Sequence, residues 1–66
     1  MKIDKIRESV RAQTWRVVPQ LETGQLRRLA DAVSETLAAP GTDPSERIAL
    51  HAERSVYREE IQRRTA

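Results

Sequence analysis

Ala39-Pro40-Gly41-Thr42-Asp43-Pro44-Ser45-Glu46 decides how this chain folds. A residue before proline avoids the helical region and glycine accepts a left-handed turn, so 39–41 closes one helix. Asp43 stands where it can cap the Glu46 amide, Pro44 suits a first helical position, and Glu46 can reach back to the cap amide. A second helix therefore opens at 44.

Upstream of this turn, Leu26, Leu29, Ala30, Val33 and Leu37 recur at i, i+3, i+4, i+7 and i+11, which is one apolar stripe on a helix over about 24–38. Thr23 is the expected cap. Further upstream, Ile3, Ile6, Val10, Gln13 and Val17 alternate spacings of three and four, a heptad seam with one polar member, and Pro19 ends that helix at about 18. Downstream, the helix from 44 runs to about 64. The expected fold is all-α: a small three-helix bundle or hairpin series with a long C-terminal helix, forming a single helical domain over 1–66. The linkers 19–23 and 39–43 are short, which favours antiparallel neighbours.

Thr14-Trp15-Arg16-Val17-Val18 offers a competing reading, because β-branched and aromatic residues favour extended chain. A strand there, followed by two helices, would resemble ribbon-helix-helix dimers. Val17-Val18 breaks the alternation and Pro19 follows at once, so the helix is preferred.

The third helix sorts its side chains into several faces. Ile48, Ala49, Ala52 and Val56 make one apolar face, read as the intramolecular core. Leu50, Tyr57 and Ile61 make a second strip, and Arg47, His51, Arg54 and Arg58 form a ridge beside it within ~60° of arc at 100° per residue. Tyrosine and arginine are residue types that interfaces favour, so Leu50, Tyr57 and Ile61 with Arg47, Arg54 and Arg58 are the candidate partner-binding residues. Alternatively, a broad apolar arc wraps a small core and the arginines are a solvated face. Trp15 lies off the Ile3–Val17 seam; it packs under the 19–23 linker against Leu21, or joins the partner-binding set as an anchor. The last turns, Glu59 to Arg64, are expected to overhang the bundle, with Glu59–Arg63 and Glu60–Arg64 as i,i+4 pairs.

Composition narrows the function classes. A chain of 66 residues with no Phe and eight alanines builds a lean core, worth about 3–5 kcal/mol. With no cysteine and one histidine, neither a disulfide nor a tetrahedral zinc site can staple it, and no cofactor or metal is expected. Oligomerisation or a bound partner is the remaining means of support. No apolar run approaches the ~20 residues of a membrane span and no targeting signal shows, so a cytoplasmic place is expected, the host cytoplasm if the chain is phage-encoded. Ten arginines against two lysines, with no Asn, fit a high-G+C bacterial or phage genome. The net charge of +2 is concentrated in residues 1–19, where five cations meet Asp4 and Glu8.

Catalysis lacks its usual groups: His51 stands alone, no serine sits in a glycine-rich elbow, and Glu59 and Glu60 diverge by ~100°. A small-molecule substrate is not expected. The function anticipated is protein–protein association or regulation through helix 3, as a homo-oligomer or with another protein. The alternative is a nucleic-acid-binding accessory or transcription regulator using the basic ridge. Against that alternative, Glu46 stands near the helix 3 N-terminus, where it would repel phosphate.

Overall fold

The computed structural model describes residues 2–66 and bears out the all-α reading, with a long C-terminal helix. Helix α1 spans Lys2–Val17, α2 spans Thr23–Ala38 and α3 spans Pro44–Thr65; a short 3-10 turn, Val18–Gln20, joins α1 to α2. No strand occurs among the described residues, so Thr14–Val17 belongs to α1. Met1 lies outside the described residues.

Local chemistry accounts for the boundaries. Pro19 cannot donate to a helical carbonyl, and the chain tightens so that the Leu21 N–H donates to the Val18 carbonyl at 3.0 Å. Helix α2 is capped by Glu22 and not by the expected Thr23: the Gln25 side chain reaches back three residues and accepts from the Glu22 N–H at 2.8 Å. Gly41 takes φ 87°, a left-handed conformation that a side chain would strain. Asp43 occupies the cap position of α3 through its backbone, its carbonyl accepting from Arg47 N–H at 2.9 Å, but its side chain makes no cap hydrogen bond. The anticipated Asp43–Glu46 capping box is thus not closed.

Helix α3 is the middle of the molecule. It packs against both α1 and α2, while the two flanking helices have little contact with one another. Arg47 bonds to Leu37, Arg54 to Ser34 and Arg64 to Thr23, so α2 and α3 are antiparallel. Arg11 meets Ser55 and Glu59 while Val18 meets Arg64, so α1 runs parallel to α3. The core is one cluster of Val18, Leu26, Ala30, Val33, Leu37, Val56 and Tyr57, with Trp15, Leu21, Leu50 and Ile61 packed against it.

The end of α3 does not overhang. Glu60 is 2% exposed, and its carboxylate accepts from Arg63 Nε at 2.7 Å and Nη2 at 2.6 Å and from Arg64 Nε at 2.7 Å. Arg64 then donates through Nη1 to the Leu21 carbonyl at 2.7 Å and through Nη2 to the Val18 carbonyl at 3.1 Å. One guanidinium therefore ties the C-terminal turn of α3 to the α1–α2 connector. At the other end of α3, Arg47 Nη1 donates to the Leu37 carbonyl at 2.8 Å, satisfying an orphan acceptor in the last turn of α2. Glu59 turns away from Arg63 and pairs with Arg11 at 2.8 Å.

Arg64→Ala strips charge-assisted bonds from two backbone carbonyls and leaves the Glu60 carboxylate with Arg63 alone. A loss of about 2 kcal/mol is expected, lowering the thermal midpoint of a domain this size by about 10 °C in a circular-dichroism melt. Hydrogen bonds from Arg63, then Arg64, hold the Glu60 carboxyl at about 2, below its ordinary 4.5 and against the effect of burial. The clasp is therefore fully present above the unfolded carboxyl value and lost as pH falls toward 2. Acid melts between these limits should show a stability loss that Glu60→Gln flattens.

Candidate interaction surface

The residues singled out on α3 are brought together, but mostly to hold the monomer. Leu50, Tyr57 and Ile61 lie on the arc of α3 that α2 covers: Tyr57 is 6% exposed inside the core, and Leu50 and Ile61 pack against it. The other face supplies buried Ala52 and Val56, with Ser55 and Glu59 on the adjoining arc meeting Arg11 of α1. Two apolar faces on one helix are thus explained by two helices packing on it.

The Tyr57 hydroxyl donates to the Glu53 carboxylate one turn away. Burial, then this bond and the Glu53 charge, push the phenol well above its ordinary value of 10. The basic ridge is similarly occupied. Arg47 is turned to the end of α2, and Arg54 donates to Ser34 Oγ at 3.1 Å and approaches His51 Nδ1 at 3.2 Å. His51 and Arg58 remain exposed. Trp15 is half-buried and packs against the core cluster, as Leu21 does.

A shallow cavity of about 250 Å³ opens between α2 and α3, lined by Thr36, Glu46, Ala49 and Leu50. Glu46 is its one ionisable lining group. Among the described residues no cluster of His, Cys, Asp or Glu is placed to hold a metal ion, and no helix is long and apolar enough to cross a membrane.

The surface with unspent apolar chemistry is on α1. This helix of 16 residues has no fully buried side chain. Its inward side is Arg11, Thr14 and Trp15, continued by Val18 of the 3-10 turn, and not the Ile3–Val17 seam. Ile3 is 49% exposed, Val17 50%, and Ile6 and Val10 are half-buried. Gln13 is exposed on the same line. Leu29 on α2, at 36%, is the other large apolar residue left open.

Charge frames the seam. At 100° per residue, Ile3, Ile6, Val10, Gln13 and Val17 share ~80° of arc. Lys2 and Arg16 stand ~60° and ~100° from the centre of the seam on one side, with Lys5 further round at ~120°, and Arg7 ~80° on the other, while Asp4 and Glu8 lie at ~140° and ~180°. All four cations are exposed, and no ion pair joins them to a carboxylate among the described residues. The heptad spacing was legible in the sequence, but spacing alone does not say whether a seam faces its own chain or another. The off-seam Trp15 was the signal that the inward side lay elsewhere.

No protein-family model, curated protein sequence or solved structure matches this chain.

The chain has one tyrosine, so its titration reports on one site. Because the folded phenol value is raised, stability is full below the unfolded value of 10 and falls as pH rises above it. Tyrosinate absorbance should therefore appear together with loss of helical signal, and an ordinary titration near 10 in a still-folded chain would place Tyr57 in solvent. Tyr57→Ser is expected to cost about 3 kcal/mol or more of folding stability by leaving a cavity at the α2–α3 contact, read by denaturant melts.

Proposed function

We propose that this chain is a non-enzymatic protein–protein association module whose contact surface is the part-exposed seam along the side of α1. The observation that carries this reading is that along the 16-residue α1 Ile3 and Val17 are 49% and 50% exposed while Ile6 and Val10 are only half-buried by their own chain. A lean core leaves little reason to spend aliphatic side chains on solvent, whereas a contact surface requires them. The strip of Leu50, Tyr57 and Ile61 supports the surface from behind, fixing α3 between the flanking helices. The non-enzymatic part of the reading rests on the α2–α3 cavity, which is shallow and offers only Glu46 as a titratable group.

Nucleic-acid binding through the α3 ridge has less to draw on, since Arg47 and Arg54 direct donors at Leu37 and Ser34. Arg58 and His51 are what the ridge leaves exposed.

Photo-crosslinking in the producing cell tests the proposal. A photoreactive residue at Ile3 or Val17 should give discrete protein adducts, whereas the same group at exposed Arg28 on α2 should not. Adducts from position 58 alone would move the surface to α3, and nucleic-acid adducts there would favour the second reading.

A further inference from the structure

We infer that the α1 seam receives the apolar stripe of an acidic amphipathic helix from another protein, a conclusion that rests on the association reading above. The seam runs from Ile3 to Val17, which at 1.5 Å per residue is about 21 Å, or four turns of a docked helix. Its three-four spacing is the spacing by which one helix meets another along a line. A flat sheet edge or an irregular loop would not exploit that line.

The borders specify the occupant's charge. Residues flanking an apolar helix seam choose the partner by pairing or repelling across it. Here the nearest charge on each flank is cationic, Lys2 with Arg16 on one and Arg7 on the other, while Lys5 stands further round and the carboxylates Asp4 and Glu8 lie furthest from the seam. Arg11 is the one α1 cation already committed, to Glu59. The remaining four are exposed, so their field lies over the seam.

A second α1 is a poor fit to this pattern. Laid antiparallel with Val10 against Val10, two copies bring Lys2 of one beside Arg16 of the other, and a parallel pairing again sets cation against cation. An anionic lipid surface matches the charge but not the apolar face: Ile3, Ile6, Val10 and Val17 are short, and the one tryptophan, Trp15, packs inward against the core. Duplex DNA would answer the cations and leave the isoleucines wet. Carboxylates bordering a leucine- or isoleucine-rich stripe satisfy both parts. Gln13, the polar member of the seam, favours the register that places a polar partner residue opposite it.

A pair of labelled synthetic helices of about 18 residues tests this, one with leucine and isoleucine at the seam positions and Glu on both flanks, the other identical but with Lys on the flanks. The Glu-flanked helix should bind the intact chain at least about tenfold more tightly than the Lys-flanked one, and the difference should shrink between roughly 50 mM and roughly 500 mM salt. Lys2→Glu/Arg16→Glu should remove the preference, and Ile3→Asp/Val17→Asp should abolish binding of both. These substitutions fall on exposed or half-exposed positions, so helical signal and melting midpoint should stay close to wild type, and Ile3→Ser/Val17→Ser serves should the aspartates disturb the fold. Equal binding of the two helices, lost in Ile3→Asp/Val17→Asp, overturns the acidic partner and keeps α1 as the contact surface. A homodimer in sedimentation that the same substitutions dissociate does likewise. Tighter binding to phosphatidylglycerol vesicles or to a duplex than to the Glu-flanked helix overturns the inference in favour of that surface. No binding of any probe, with wild type monomeric, overturns both readings.

Discussion

Everything in this structure leans on the guanidinium of Arg64. Its Nε is held by the buried Glu60 carboxylate, and its other donors take the carbonyls of Val18 and Leu21 in the α1–α2 connector. A buried carboxylate is costly unless its lone pairs are used, and Arg63 and Arg64 together use them. The Val18 carbonyl, already accepting from the Leu21 N–H, takes the arginine on its second lone pair. Arg47 makes the corresponding tie at the opposite end of α3, so the antiparallel α2–α3 pair is pinned at both ends and α1 is delivered to the remaining side. In a chain with so few large apolar residues, these polar ties position elements that burial alone would leave loosely registered.

That arrangement decides which side of α1 faces in. The connector is clasped at Val18, and Arg11 is drawn to Ser55 and Glu59, so the arc carrying Thr14, Arg11 and Val18 turns toward α3. The heptad seam is left at the side of α1 as a result, with Ile6 and Val10 half-buried and Ile3 and Val17 open, while Lys2, Lys5, Ser9, Ala12 and Arg16 face away from the core. The chemistry left over is a part-exposed apolar line with Lys2 and Arg16 beyond one edge and Arg7 beyond the other.

The helices themselves were legible because proline, glycine and apolar period agree at each boundary: Pro19, Pro40-Gly41 and Asp43-Pro44 all mark ends that the structure keeps. The cap at Glu22 was missed because Thr23 is the commoner cap type and Glu is an unusual cap residue, although Gln25 at N3 is an ordinary one. Leu50, Tyr57 and Ile61 were read as a surplus strip because a wheel shows how many faces a helix has, not how many neighbours cover them. The buried Glu60 lay beyond any periodicity argument; its i,i+3 and i,i+4 arginines were visible, but burial depends on where the connector lands. The Ile3–Val17 spacing was seen, and its place at the side of α1 was not, since the decision is made by Arg11, Trp15 and Val18 through contacts distant in sequence.

The most direct measurement is the solvent accessibility of individual methyl groups, read by NMR with a soluble paramagnetic agent in dilute protein. The account predicts strong broadening of Ile3 and Val17 and little at Val18, Leu26 and Val56, whose side chains are closed inside the core. Protection of Ile3 and Val17 together with exposure of Val18 would contradict it, since α1 would then present its seam to α3 and the connector clasp would not hold the helix as described.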